Sequence, residues 1–169
     1  MPILETRSLH WPDEAACAAT AAELAGRIGL ADAASASVFI ELHGTLGAGK
    51  TTFARYLLQA LGVQGRIKSP TYAVMESYEA QQRGAPLAIS HFDFYRFDDP
   101  QEFEDAGFRD VFASPGLKLA EWPENAAGLL PMADLVIYIE PGDGDGDAQS
   151  DARRVRLDAH SALGARLIG

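Results

Sequence analysis

Gly44-Thr45-Leu46-Gly47-Ala48-Gly49-Lys50-Thr51 fits the phosphate-loop pattern G-x-x-x-x-G-K-[ST], and its reading decides the fold. In such a loop, backbone N–H groups converge on nucleotide phosphates, the lysine reaches the β- and γ-phosphates, and the threonine hydroxyl ligates Mg²⁺. The helix that follows adds free N–H groups and the positive end of its dipole. An ordinary glycine-rich turn is the competing reading, and the flanks decide between them, because the pattern has meaning only between a buried strand and a helix. Upstream, Val38-Phe39-Ile40-Glu41-Leu42 reads as a short, mostly apolar strand. Downstream, Phe53, Leu57, Ala60 and Leu61 recur at helical spacing until Gly62 supplies a stop. Leu46, Gly47, Ala48, Gly49, Lys50, Thr51 and Thr52 are therefore the expected phosphate cradle.

The 169 residues suit one α/β domain, 1–169, and no internal repeat divides them. No apolar run approaches membrane-spanning length, and the opening Met1-Pro2-Ile3-Leu4-Glu5 lacks the basic and apolar regions of a secretory signal. Cys17 is the lone cysteine, so an internal disulfide is impossible; among alanines it reads as a small buried side chain. A cytoplasmic location is the resulting expectation. The net charge of −10 argues against autonomous binding of tRNA or DNA, which needs a basic surface.

Outward from the motif, Asp13 is placed to cap a helix running to about Ile28. Strands are expected over Tyr72–Tyr78, Leu87–Asp93, Leu117–Glu121 and Leu135–Ile139, with Arg154–Leu157 as an edge strand and a short amphipathic helix in the tail. Asp99-Pro100-Gln101-Glu102 is a helix start, and Gly107 its end. Residues 141–151 read as a flexible acidic surface loop. Its alternating aspartates do not make a calcium loop, because Ala148 and Arg154 stand where such a loop starting at Asp143 needs glycine and glutamate. Histidines are scattered without cysteine partners, which argues against zinc.

A phosphate loop needs an acidic partner for Mg²⁺, typically at the end of a neighbouring strand. Asp93 and Glu121 both end candidate strands, and spacing alone does not separate them. One carboxylate would order the metal's water shell while the other orients or deprotonates the attacking water. Thr71, in the Ser69-Pro70-Thr71 segment, has two readings: a turn at a strand start, or a switch-like sensor of the γ-phosphate.

The succession G-T-L-G-A-G-K-T-T-F at 44–53, K-S-P-T-Y at 68–72, H-F-D-F-Y-R at 91–96, D-P-Q-E-F at 99–103 and E-W-P-E at 121–124 resembles the TsaE (YjeE) family. The order and spacing match over roughly residues 9 to 140. The phosphate loop is shared by many families, whereas H-F-D-x-Y-R followed by E-W-P is specific. The resemblance implies an ATPase that uses ATP and Mg²⁺ in making threonylcarbamoyladenosine beside the tRNA anticodon. It also implies a TsaB–TsaD complex as partner, so that tRNA is met only indirectly. By the same resemblance, Lys50, Thr71, Asp93 and Glu121 carry the chemistry, Thr51, Asp93 and Glu121 form the metal site, and Glu14 lies near the nucleotide base. Two departures stand out: Thr45 replaces a common aspartate, and the 142–147 loop looks inserted, which leaves a nucleotide contact from Arg153 or Arg154 open.

Alternatives of other classes are a small-molecule P-loop kinase and a docking module that binds nucleotide with negligible hydrolysis. A GTP switch is disfavoured because the guanine-reading N-K-x-D pattern is absent: Asn125 is the sole asparagine. The expected fold is a three-layer α/β P-loop NTPase with a mixed, mainly parallel central sheet, since hairpin-like connections such as 140–153 are too direct for parallel crossovers.

Overall fold

A computed structural model describes residues 2–33, 36–67, 74–82, 84–142 and 152–169. Thr71, the rest of the 68–72 motif and most of the acidic loop, 143–151, lie outside the described residues. In chain order the elements are β1 (Glu5–Trp11), α1 (Glu14–Leu30), β2 (Ser37–His43), α2 (Lys50–Ala60), β3 (Met75–Gln82), β4 (Ala85–Asp93), α3 (Pro100–Asp105), α4 (Phe108–Ala113) and β5 (Gly116–Glu121). A 3₁₀ turn (Pro123–Ala126), β6 (Leu135–Pro141), β7 (Arg153–Ala159) and α5 (Ala162–Ile168) complete the chain.

All seven strands form one sheet in the order β1-β7-β6-β2-β5-β4-β3. Its middle is parallel: β2 pairs with both β5 and β6, and β4 pairs with β5. Antiparallel β7 and β1 extend one side and antiparallel β3 the other. Every residue of β5 is buried, as a parallel strand covered on both faces must be. Helices α1, α2 and α5 cover one face with an aliphatic core that includes Leu24, Ile28, Leu57, Leu58 and Leu167. The other face carries an aromatic core, in which Phe92 stacks on Phe94 and Phe112, with Phe103 and Phe108 edge-on or close by. The architecture is therefore the three-layer α/β P-loop fold expected from the sequence.

Several local signals act as read. The Asp13 carboxylate accepts the Ala16 N–H at 3.0 Å and caps α1. Asp99 accepts the Gln101 N–H at 3.0 Å, with Pro100 in the first turn of α3. Gly107, at φ +71°, ends α3, and the chain re-enters helix at once as α4. One expectation is corrected: Arg154–Leu157 is not at an edge, because β7 lies between β1 and β6. The edge is β1, which buries only Trp11 fully and so carries little hydrophobic signal. Far from the phosphate loop, the buried Lys118 ammonium donates to Ser37 Oγ at 2.8 Å and to the Ser114 carbonyl, tying the end of α4 to β2 and β5. Among the described residues, no helix is long and apolar enough to cross a membrane.

Candidate nucleotide and metal site

Parallel pairing brings the site together. Asp93 and Glu121 are register partners at the ends of β4 and β5, and Glu121 is in turn paired with Leu42 near the end of β2. Three parallel strands thus end on one side of the sheet, where open α/β folds bind ligands. Gly44 turns the chain out of β2 at φ +152°, and a Cβ there would meet the Ile139 carbonyl oxygen at 2.2 Å. Only glycine lets the loop start so close to β6. Gly49, at φ +111°, opens α2 without any side-chain cap, so the first N–H groups of the helix remain directed into the loop.

Lys50 is buried, and its ammonium donates to the carbonyls of Gly44 and, at 3.2 Å, Thr45. It also sits 3.8 Å from the centroid of the Trp122 ring. Burial lowers the Lys50 pKa, an effect opposed by Glu121, Glu124 and Asp93. Trp122 adopts a left-handed conformation, φ +55°, that is uncommon for a bulky residue. It is held by the following turn, in which Asn125 Nδ2 donates to the carbonyls of Phe94 at 3.0 Å and Tyr95 at 3.1 Å.

Thr51 Oγ1 donates to Glu121 Oε1 at 2.8 Å. The other carboxylate oxygen, Oε2, lies 2.7 Å from His91 Nε2, so both Glu121 oxygens are engaged. Asp93 differs: among the described residues its carboxylate meets only the Tyr95 N–H, at 2.9 Å. Burial raises the Asp93 pKa; the Tyr95 N–H opposes that and the nearby Glu121 charge reinforces it. Asp93, Glu121, Tyr95 and Trp122 line one cleft with phosphate-loop residues 46–52. Leu46 is 72% exposed at its mouth.

A second hollow adjoins the first through Ala48, Gly49 and Thr52, and is lined further by Trp11, Glu14 and Arg153. Glu14 accepts the Tyr56 hydroxyl at 2.7 Å, and Arg153 Nε donates to the Ala48 carbonyl at 2.6 Å. Cys17 also faces this hollow, with burial pushing its thiol up to about 11, which fits a packing side chain and not a reactive one.

The oxygen donors suit a hard cation. Thr51, Glu121 and Asp93 gather where two carboxylates otherwise face one another, and Mg²⁺ characteristically takes one or two carboxylates, with phosphate and water oxygens filling its shell. Among the described residues no group of three His, Cys, Asp or Glu side chains forms a closed all-protein metal cage.

The family model described as "Threonylcarbamoyl adenosine biosynthesis protein TsaE" matches residues 11–150. The chain belongs to the TsaE family. The Haemophilus influenzae protein named tRNA threonylcarbamoyladenosine biosynthesis protein TsaE is 42% identical over 132 residues, covering 78% of this chain and 77% of that protein. A Streptomyces coelicolor protein of the same name is 36% identical over 117 residues, covering 69% and 77%. The crystal structure of Bacillus subtilis YdiB superposes with a TM-score of 0.73 at 25% identity, over 99% of this chain and 95% of that one.

Of the residues expected from the TsaE resemblance, the structure brings together Lys50, Thr51, Asp93 and Glu121 and puts Glu14 in the adjoining hollow. Sequence reasoning passed over His91 and Tyr95 and left Arg153 open. His91 was recoverable, because alternation on a strand puts it on the same face as Asp93. Nothing local distinguishes Arg153 from Arg154 and Arg156 until the strand is placed in the sheet.

Proposed function

We propose that this chain is a Mg²⁺-dependent ATP-binding and ATP-hydrolysing protein of tRNA threonylcarbamoyladenosine formation, acting as one domain in the cytoplasm with a TsaB–TsaD complex. The observation that carries the reading is the 2.8 Å hydrogen bond from Thr51 to Glu121. It joins the residue that ligates Mg²⁺ in phosphate loops to a carboxylate on the neighbouring parallel strand, the pairing that nucleotide hydrolysis on this fold requires. Mg²⁺, when bound, supplies charge neutralisation on the phosphates. Thr51 and Glu121 would hold it, with Asp93 beside them.

The chain's own groups then divide the work. Loop N–H groups and the start of α2 bind the phosphates, and Lys50 exchanges its bonds to the Gly44 and Thr45 carbonyls for phosphate oxygens. Glu121, engaged at both oxygens, is a holder of the metal site. Asp93, with a raised pKa and spare acceptor capacity, orients the attacking water and takes its proton. Thr71 is proposed as the γ-phosphate sensor and Glu14 as a neighbour of the base. No arginine lines the phosphate cleft among the described residues, which supports slow hydrolysis alone and stimulation by partners. The net charge of −10 supports meeting tRNA through those partners.

Reconstituted tRNA modification tests the role: TsaB, TsaD, threonylcarbamoyl donor, tRNA and ATP, with and without this chain, read by nucleoside chromatography. Multiple-turnover product should require the chain and fall at least about a hundredfold with Lys50→Ala, the scale of losing one transition-state donor. Equal product without the chain would contradict the assignment.

A further inference from the structure

His91 and Glu121 form a buried pair behind the cleft, 1% and 2% exposed, with 2.7 Å between His91 Nε2 and Glu121 Oε2. A carboxylate oxygen accepts, so Nε2 is the nitrogen that donates to Glu121. Nδ1 is buried and has no partner among the described residues. A buried polar atom without a partner is costly, and an apolar ring in its place would avoid the cost. Phenylalanine is abundant in this region, with Phe92 and Phe94 on either side of Asp93, so aromatic packing alone does not call for imidazole. What the imidazole adds is one directed N–H, and it goes to Glu121.

That donor acts at a particular place. Glu121 Oε1 receives the Thr51 hydroxyl at 2.8 Å, and Oε2 receives His91. With both oxygens held, the carboxylate plane is fixed. The Thr51 hydrogen is directed at Glu121, leaving Oγ1 lone pairs for a metal. We propose that His91 is a positioning residue for the metal site, orienting Glu121 and through it the Thr51 hydroxyl. This rests on the reading of Thr51 and Glu121 as Mg²⁺ positions. Partners that orient metal ligands in this way change metal affinity by about 10–100-fold when removed.

The test uses the full chain and a fluorescent (methylanthraniloyl) ADP. Its affinity is measured in EDTA and across a Mg²⁺ titration for wild type, His91→Phe, His91→Gln and His91→Asn, with thermal melting of each protein free of nucleotide. His91→Phe should bind ADP in EDTA as wild type does, yet need about 10–100-fold more Mg²⁺ for its half-maximal effect. His91→Gln, whose amide nitrogen reaches the Nε2 position, should restore most of the shift, whereas the shorter His91→Asn should not. A Mg²⁺ midpoint unmoved in the Phe variant would overturn the proposal. So would equal shifts in Gln and Asn, or in Gln and Phe, tracking loss of melting temperature. If the Phe variant lacks a cooperative melt, the Gln–Asn difference decides in the same way. Wild-type ADP binding that ignores Mg²⁺ would instead refute the metal reading itself, before any variant is considered.

Discussion

Asp93 and Glu121 are chemically alike and end neighbouring strands, yet their surroundings differ. Glu121 is buried and held at both oxygens by Thr51 and His91, whereas Asp93 is half-buried with one N–H partner among the described residues and a raised pKa. Sequence spacing left the two tied, because strand-end position is legible in a chain and hydrogen-bond partners are not. The difference has a measurable consequence. A carboxyl group whose folded-state pKa is raised favours the folded state when protonated; that contribution is fully present below its unfolded pKa and lost as pH rises through the folded value. At neutral pH the partly desolvated Asp93 charge therefore opposes folding. Asp93→Asn, which keeps an acceptor for the Tyr95 N–H, should melt higher than wild type at pH 7 and converge with it in acid, where both side chains are neutral. The same variant should lose hydrolysis by about 10²–10⁴-fold, the usual contribution of a general base. A lower melting temperature at pH 7, or retained hydrolysis, would remove Asp93 from that role.

The elements were legible where local chemistry and burial agree. The cap and proline of α3, the cap of α1 and the glycine entry to α2 all speak through side chains or φ values that few residues satisfy. Strand β5 lies where a strand was expected over Leu117–Glu121, but the burial of Lys118 within it was not legible. Two elements did not announce themselves. Strand β1 is largely exposed and polar, held by its ladder to β7, and α4 is six residues long with no side-chain cap. The phosphate-sensing segment around Thr71 remains an expectation from the resemblance. The capping argument predicts that Asp99→Ala lowers stability by about 1 kcal/mol, the common cost of losing an N-cap. Chemical denaturation reads this directly, and an unchanged midpoint would mean that α3 is held by Phe103 packing alone.

Across the molecule, sheet order does what sequence order cannot. Residues 44–51, 93 and 121 are far apart in the chain, and parallel pairing of β2, β4 and β5 places their ends together. The three-layer fold followed from the phosphate loop and its flanks, and the antiparallel wing from the short 140–153 connection. The interior placement of β7 was hidden because its partner β1 was. The net charge of −10 and the lack of an arginine lining the phosphate cleft among the described residues support the proposal of hydrolysis completed on a protein partner over one of a chain acting alone on tRNA. The most direct measurement is phosphate release from Mg²⁺–ATP by wild type and by Lys50→Ala and Glu121→Ala, each with and without TsaB–TsaD and tRNA. The account predicts slow release alone, stimulation by the complex, and loss of the stimulated rate in both variants while they remain folded. Nucleotide binding with the same negligible release in the presence and absence of partners would contradict it, and would make the chain a nucleotide-regulated docking protein.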